Sequence, residues 1–397
     1  MKPKCIVLII VVLLWIPFTG MTQSLELEWE RQFGSSKMDM FIDVIEDING
    51  GYTVLGATQL KSKNDQDFWI VRFNEKGDTL WMKVMGTQNF DYPSSLAQLP
   101  DGSYILTGKT EFEPDNYQAF ILKIDEQGSE LWQRNIGDRH YKCAENVIAT
   151  SEGEIIVSGI KTTDSDIENI WIAKLDSDGN TLWEKLLEDE KMSCSQSLKS
   201  LPDGGFALAA SVSEKNIPDA DLMLVRFTSQ GEIIWEHTEE SVNKNVWPEC
   251  ICCSPDSNFI VVGWHGTCMN DIRSEYPVFD YDLFISKISQ DGKLLWSKNI
   301  DSEGSEGGNA VVVRNDGKIL LAGKKETSFL GKVGPWLLLS NENGEVIDEL
   351  LLPFKFNRDQ AVEIINSSDG GFVVIGPGEI DPDYGRSDGW IKKFKSF

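Results

Sequence analysis

The residues that could catalyse a reaction do not form a recognisable catalytic motif in this sequence. The three histidines, His140, His237 and His265, are far apart and belong to no nucleophile elbow, zinc-binding helix or phosphate-binding loop. The 63 Asp and Glu residues are compatible with an acid pair for glycoside cleavage, but nothing in the sequence selects one. We therefore expect no catalytic residues and no cofactor, and the sequence leaves the question of activity open.

The cysteines could act as thiols, as disulfides or as metal ligands. Cys143 and Cys194 occupy the same position in adjacent repeat units, so they could form a disulfide if their Cα atoms came within about 7 Å. A domain of this size does not need a disulfide to fold, which makes a buried free thiol the default. A second group has the composition of a zinc site or a local disulfide: Cys250, Cys252, Cys253, His265 and Cys268. Strand alternation sends neighbouring side chains to opposite faces, so we expect no metal site there.

An acidic loop near the C-terminus offers oxygen ligands. Asp381, Asp383 and Asp388 are spaced by two and five residues, and carboxylates on a turn can bind calcium. The loop lacks the full ligand series of an EF-hand, so a solvated acidic loop is favoured. Asp381 and Asp383 remain candidate ligand-binding residues without a metal.

Charge narrows the choice of partner. With 37 Lys and Arg against 63 Asp and Glu, the chain carries a formal charge of −26. This charge repels phosphate backbones and anionic lipids, so we expect neither nucleic acid nor a membrane surface as a partner. Cationic partners, metal ions and neutral glycans remain compatible with it.

The N-terminal residues have the layout of a secretory signal peptide. Lys2 and Lys4 precede an apolar run over residues 6–18, which small and polar residues follow. The run is too short to cross a bilayer comfortably, and no second long apolar run occurs in the sequence. We predict a signal peptide over residues 1–22, no transmembrane segment, and a protein exported to the periplasm or the extracellular space.

The remainder of the chain is a repeat. Tryptophans recur at intervals of 51 or 52 residues, with a last interval of 61: Trp29, Trp81, Trp132, Trp183, Trp235 and Trp296. From the second onward, each stands four residues after the glycine of a turn. A further turn keeps Gly344 but has Asp348 at the tryptophan position.

Two other patterns keep the same period, and each recurs seven times. One is an Asp-Gly or Gly-Gly turn before an apolar strand, and the other is a strand in which a base usually follows an aromatic residue by three positions. The second unit illustrates four strands, A to D, at residues 95–99, 104–108, 119–124 and 130–135. Four antiparallel strands repeated every 50 residues form a β-propeller blade.

These patterns predict an all-β, seven-bladed β-propeller over residues 23–397. The seventh unit stops after its third strand, whereas residues 25–32 supply an extra strand that carries Trp29. We expect this N-terminal strand to complete the last blade and so close the ring without a free edge.

The turn and tryptophan element, as in Asp176-Ser177-Asp178-Gly179 followed by Trp183, resembles the tryptophan-docking repeat of the quinoprotein dehydrogenase-like (PQQ-like) propellers. The element here is one residue shorter and lacks the family's threonine. It is more similar to secreted tryptophan-repeat propellers of Bacteroidetes type. The resemblance covers nearly the whole chain after residue 22, and it implies the propeller fold and, as one alternative, a quinone-dependent dehydrogenase.

Function is expected on one face of the disc. The A–B and C–D turns are short and alike, whereas the D–A and B–C connections vary and emerge together on the opposite face, which we call the long-loop face. The candidate ligand-binding residues in these connections are His140, Tyr141, Trp247, Tyr276 and Tyr281. We predict a monomeric, non-enzymatic protein that binds an envelope or extracellular protein, or a glycan, through this face. The alternative is a carbohydrate-active hydrolase or lyase, or the dehydrogenase, with an axial site containing paired carboxylates.

Overall fold

The computed structural model describes residues 25–396 except 36, 60–65, 114–115, 139, 166, 188–191, 214–219, 240–244, 270–277, 302–303, 328–331, 355–358 and 382–385. The described residues form 28 strands and no helix, and the strands pair as seven four-stranded antiparallel sheets. No helix able to cross a membrane occurs among them. The all-β, seven-bladed propeller is therefore confirmed. Residues 1–24 lie outside the described part, so the signal peptide remains a prediction.

Blades are numbered by the order of their innermost strands, and strands are numbered along the chain. Blade 1 consists of β2 (Asp39–Glu46), β3 (Tyr52–Thr58), β4 (Asp67–Phe73) and β5 (Thr79–Met85). Blade 2 consists of β6 (Asp91–Gln98), β7 (Tyr104–Glu113), β8 (Asn116–Ile124) and β9 (Glu130–Ile136). Blade 3 consists of β10 (Asn146–Ala149), β11 (Ile155–Thr162), β12 (Glu168–Leu175) and β13 (Thr181–Leu187). Blade 4 consists of β14 (Met192–Ser200), β15 (Phe206–Ser213), β16 (Ala220–Phe227) and β17 (Ile233–Glu239).

The other three blades follow the same order. Blade 5 consists of β18 (Asn245–Cys253), β19 (Phe259–Met269), β20 (Val278–Ile288) and β21 (Leu294–Ile300). Blade 6 consists of β22 (Glu306–Val313), β23 (Ile319–Thr327), β24 (Lys332–Ser340) and β25 (Val346–Leu351). Blade 7 consists of β26 (Glu363–Asn366), β27 (Phe372–Asp381), β28 (Arg386–Phe394) and β1 (Leu27–Phe33).

The N-terminal strand closes the ring as predicted. β1 pairs antiparallel with β28, so that Gln32 lies opposite Trp390 and Trp29 lies opposite Lys393. The ion pair between Lys392 and Glu30, at 2.6 Å, joins the same two strands. Pairing of the first strand with the last removes the exposed edges that an open sheet would have.

The recurring tryptophans pack between blades, which is the structural role that their periodicity predicts. The indole Nε1 of Trp81, on the outermost strand of blade 1, donates a hydrogen bond of 3.0 Å to the carbonyl of Glu126 in the C–D turn of blade 2. Gly128 of that turn has a φ of +75°, and a Cβ there would lie 3.1 Å from the Trp81 ring. The turn therefore needs glycine both for its left-handed backbone and for the close approach of the indole.

The recurring base on the third strand of a blade also has a structural role. In blade 7 the almost fully buried ammonium of Lys393 pairs with Asp369 of the A–B turn at 2.7 Å. The same pairing within a blade joins Arg72 with Asp47, Lys123 with Asp101, Lys174 with Glu154, Arg226 with Asp203, and Lys287 with Asp256. These pairs neutralise turn acids on the face of the short A–B and C–D turns, which we call the tight-turn face.

Candidate functional site

The innermost strands of the blades line a channel along the propeller axis. A cavity of about 480 Å³, which we call the axial cavity, lies at the long-loop end of this channel. A second cavity of about 710 Å³ reaches inward from the tight-turn end. Six residues line both cavities, and each comes from the innermost strand of a different blade: Asp43, Ser95, Asn146, Ser197, Cys250 and Glu363. We call these six residues, which lie where the two cavities meet, the waist of the channel.

Bulges in the innermost strands add a further layer of side chains above the waist, and all of them except Ile42 are polar. The pairing register skips one residue in five blades, and the skipped residues are Ile42, Ser94, Gln196, Glu249 and Asn309. All five line the axial cavity. A bulge turns an extra side chain away from the regular alternation of the strand. The innermost strands therefore present hydroxyls, amides and carboxyls to the axis at positions where strict alternation would predict apolar packing.

The described residues that line the axial cavity include four carboxyl groups: Asp43, Glu145, Glu249 and Glu363. Burial raises the pKa of Glu145 and of Glu249 to about 7. Burial also raises the pKa of Asp43 and Glu363, and the charge of Asp43 raises that of Glu363 further. A carboxyl held out of water in this way gains from meeting either a proton or a cation.

The Asp43 carboxylate is the best satisfied of the four. It accepts hydrogen bonds from the backbone N–H of Val44 and of Leu96, both at 2.7 Å, and from the Ser95 hydroxyl at 3.0 Å. Glu363 accepts a backbone hydrogen bond of 2.9 Å from Ile364. The Oε2 atom of Glu145, by contrast, is buried and accepts no hydrogen bond from the described residues.

Lys324 and Trp264 form the cationic and aromatic side of the axial cavity. The Lys324 ammonium lies 3.6 Å from the centroid of the Trp264 ring. Burial lowers the pKa of Lys324, although the charge of Glu249 opposes this shift. The cavity thus has four acids and a lysine among its described lining residues.

Two aromatic clusters belong to the long-loop ends of the blades. In blades 2 and 3, the Lys109 ammonium lies 4.9 to 5.2 Å from the ring centroids of Tyr92, Tyr117 and Tyr141 and donates a hydrogen bond of 3.0 Å to the Tyr141 hydroxyl. Burial raises the pKa of Tyr141 well above its ordinary value.

In blade 5, Tyr281 packs edge-on against both Trp247 and Trp264, with ring centroids 6.0 and 5.4 Å apart. Three residues predicted from the sequence, Tyr141, Trp247 and Tyr281, are therefore half-buried parts of these clusters. Tyr276 and Asp383 lie outside the described residues. For Asp381 the structure describes the backbone, at the end of β27, and not the side chain.

His140 is held between two carboxylates. Its Nδ1 and Nε2 atoms each lie 2.9 Å from a carboxylate oxygen, of Asp138 and Asp164 respectively. The hydrogen bonds with Asp164 and then Asp138 raise the pKa of His140, which favours the charged imidazolium. A histidine fixed in this way orders its loop, and it does not line the axial cavity.

Cys143 and Cys194 are both free thiols in the structure, so the disulfide that the sequence left open is not formed there. Each thiol instead has a partner in its own surroundings. The Cys143 Sγ lies 3.9 Å from the carbonyl of Ile160, and the Cys194 Sγ lies 3.6 Å from a carboxylate oxygen of Glu168. Burial raises the pKa of Cys194 to about 12, so this thiol stays protonated at neutral pH.

The blade 5 cysteines are also thiols where they are described. Cys250, Cys252 and Cys253 are free, and Cys250 belongs to the waist of the channel. The bulge at Glu249 precedes these cysteines, and the pairing register is unbroken from Cys250 to Cys253. Cys250 and Cys252 therefore pack on one side of the strand and Cys253 on the other, as strand alternation predicts. Among the described residues, no three His, Cys, Asp or Glu side chains form a group that could bind a metal ion. The side chain of Cys268 is not among the described residues.

Comparisons with known proteins identify the fold and not a family. No family model and no curated protein matches the chain. Among solved structures, YCF48 bound to the D1 peptide is similar with a TM-score of 0.52 and 12% identity, over 95% of this chain and 100% of that one. The α-L-arabinofuranosidase Arb93A from Fusarium graminearum is similar with a TM-score of 0.50 and 12% identity, over 76% and 92%.

A puromycin hydrolase is similar with a TM-score of 0.54 and 14% identity, over 88% of this chain and 53% of that one. At these identities the likenesses show a shared β-propeller fold. The narrower resemblance to PQQ-like and Bacteroidetes propellers remains a prediction from the sequence, because propellers with different activities share this architecture.

Proposed function

We propose that the chain is an exported, monomeric, non-enzymatic binding protein, which takes a basic segment of an envelope or extracellular protein into its axial cavity. One observation carries the proposal: carboxyl groups from four different blades line a single cavity at the long-loop end of the axis. Buried carboxyls without a matching cation are costly, and a lysine or arginine side chain would compensate them. Glu145 Oε2 is an acceptor that such a side chain would satisfy.

The size of the cavity indicates how a partner would bind. A volume of about 480 Å³ accommodates one or two side chains of an extended segment and not a folded element. The formal charge of −26 would attract a basic partner at long range and raise its association rate. The Tyr141 and Tyr281 clusters supply aromatic residues of the kind that dominate binding energy at protein interfaces.

The similar fold of YCF48 holds a peptide, which supports peptide binding as a use of this architecture. For this chain, we expect fluorescence anisotropy to detect binding of labelled hexapeptides that contain Arg or Lys, and not of the same peptides with Ala. Combining Glu145→Gln and Glu249→Gln should weaken binding about tenfold or more, because two compensating charges are lost.

The control is Glu130→Gln, which removes one negative charge by the same substitution from the exposed outer strand of blade 2. It should leave binding within about twofold, the range expected for a screened surface charge. Equal weakening by both kinds of variant would mean that net charge alone attracts the peptide, and the axial cavity would lose its role.

Glycoside hydrolysis is a second candidate function, and a specific observation favours it. Asp43 and Glu363 belong to adjacent blades and both line the waist, and the pKa of Glu363 is raised further than that of Asp43 because the charge of Asp43 adds to burial. A glycosidase needs one protonated carboxyl as acid and one ionised carboxylate as base or nucleophile. The similar fold of the Fusarium graminearum arabinofuranosidase supports testing this pair.

The test is release of nitrophenol from a panel of aryl glycosides, including the α-L-arabinofuranoside. Hydrolysis should depend on Glu363 as acid, so Glu363→Gln should lower the rate by about 100-fold or more. If no substrate of the panel released nitrophenol, glycoside hydrolysis by Asp43 and Glu363 would be rejected.

A further inference from the structure

Lys324 and Trp264 lie on the side of the axial cavity formed by blades 5 and 6, and neither has a hydrogen-bond acceptor among the described residues. The Lys324 ammonium makes no hydrogen bond or ion pair within 4 Å with a described residue, and it rests on the Trp264 ring at 3.6 Å. The Trp264 Nε1 is buried and donates no hydrogen bond to a described acceptor. Two hydrogen-bond donors without acceptors therefore lie side by side in the cavity wall.

The position of the indole is fixed by close packing. A Cβ on Gly307 would lie 3.1 Å from Nε1 of Trp264, so the absence of a side chain there lets the indole lie against the backbone of blade 6. Tyr281 packs edge-on against the same indole, at 5.4 Å between ring centroids. A donor that is held in place before binding loses little entropy when it meets an acceptor.

We propose that Lys324 and Trp264 form a carboxylate subsite, so that the segment bound in the axial cavity carries an acidic side chain next to its basic one. This inference rests on the proposed function and names the chemistry of its ligand. A carboxylate can accept hydrogen bonds from the lysine ammonium and from the indole N–H at the same time. The neighbouring basic side chain reaches the acids at the waist and at Glu145.

A purely basic ligand would fit this cavity less well. It would bring a second cation towards Lys324, whose charge is already partly desolvated, and it would leave the Trp264 N–H without an acceptor. The Glu249 carboxyl attracts the Lys324 ammonium but forms no ion pair with it within 4 Å. The ammonium can therefore still donate hydrogen bonds to a ligand. Unsatisfied buried donors penalise a ligand that cannot pair with them.

The test compares two synthetic peptides by isothermal titration calorimetry. One is acetyl-Gly-Gly-Arg-Glu-Gly-Gly-amide, the other has Gln in place of Glu, and each is made with the two central residues in both orders. The native chain should bind the better Arg-Glu peptide about tenfold more tightly than its Arg-Gln counterpart, as a charge-assisted contact implies. Lys324→Gln should abolish this preference and leave Arg-Gln binding unchanged or stronger.

The neighbouring residue provides a matched control. Lys325 pairs with Glu349 at 2.8 Å and does not line the axial cavity, so Lys325→Gln should keep the preference. Trp264→Phe retains an aromatic ring and removes the N–H, and it should reduce the preference severalfold. If Lys324→Gln does not melt cooperatively, and so is not folded, the test uses Trp264→Phe instead.

The failure of this inference differs from the failure of the proposed function. Binding of both peptides with equal affinity, unchanged by Lys324→Gln or Trp264→Phe, would overturn the carboxylate subsite and leave the basic-segment function standing. Binding of neither peptide, in either order, would overturn both. An equal loss of preference in Lys325→Gln would also overturn the subsite, because the effect would then come from surface charge.

Discussion

The two ends of the propeller use the same residue types for opposite purposes. On the tight-turn face, a tryptophan contacts the turn glycine of the next blade, and a buried base pairs with a turn acid of its own blade. On the long-loop face, the corresponding positions differ between blades, and the axial cavity collects Ser94, Glu145, Gln196 and Glu249 from four of them. In this chain, residues that repeat from blade to blade pack the blades together, whereas residues that differ between blades line the candidate site.

The carboxyl groups at the two ends of the propeller differ in the direction of their pKa shifts. Although burial acts to raise it, hydrogen bonding to Lys287 and Ser254 holds the pKa of Asp256 well below its ordinary value on the tight-turn face. In the axial cavity burial prevails, and the pKa of Glu249 rises to about 7. The turn acids, which pair with a base, stabilise the fold at neutral pH. The acids of the axial cavity can instead bind a proton or a cation.

Removing a docked tryptophan should give the largest effect and should be confined to stability. Trp81→Ala deletes the indole that packs against Gly128 and its hydrogen bond to Glu126, so we expect unfolding to become easier by about 3 kcal/mol. Chemical denaturation followed by fluorescence measures this change. Leu80→Ala, at a neighbouring side chain that is 55% exposed, should cost less than about 0.5 kcal/mol. A similar cost for both variants would contradict the packing role.

Removing the acid that pairs with a buried base should have the next largest effect. Lys393 is 1% exposed, so Asp369→Asn leaves its ammonium without a full counter-charge. Because Asp369 itself is about half exposed, we expect a loss of about 2 kcal/mol, below the range for a fully buried pair.

The pH dependence of this pair has a definite sign. Burial opposes the shift, but the hydrogen bond from Lys393 keeps the pKa of Asp369 lower in the folded than in the unfolded chain. Its stabilisation is therefore complete above the ordinary pKa of 3.8 and is lost as the pH falls below it. Denaturation curves at pH 7 and pH 3 should show Asp369→Asn destabilising the chain at pH 7 and much less at pH 3. An equal loss at both would assign the effect to packing.

The sequence and the structure agree best where the repeat is most regular. The four strands proposed for the second unit lie within β6 to β9, apart from one residue at the end of the first. The glycine and tryptophan spacing suffices for this because each pair of residues makes one local contact, which recurs from blade to blade.

The axial acids, by contrast, were not selected from the sequence. Glu249 is a bulged residue and Asp43 directly follows the bulge at Ile42, and strict alternation does not predict side-chain direction across a bulge. A signal was present: Asp43, Glu145, Glu249 and Glu363 each interrupt the apolar run of an innermost strand. Whether such a residue faces the axis depends on strand pairing, which only the folded ring defines.

The smallest predicted effect concerns the acids of the axial cavity, and its pH dependence has the opposite sign to that of Asp369. The pKa of Glu145 and of Glu249 rises on folding from 4.5 to about 7, so the folded chain binds these protons more tightly than the unfolded chain. Stability should therefore fall as the pH rises from 4.5 to 7 and should then level off, by an amount on the order of 1 kcal/mol for each residue when water enters the cavity.

Replacing both residues, as Glu145→Gln with Glu249→Gln, should remove this fall in stability and raise the free energy of unfolding at pH 8 relative to the native chain. Denaturation curves at pH 5 and pH 8 measure the difference, and Glu130→Gln on the outer strand should leave the native pH dependence in place. A double variant that is less stable than the native chain at pH 8 would mean that these two acids hold the ring together, as the turn acids do. They would then belong with the structural carboxylates of the tight-turn face and not with a site that awaits a ligand.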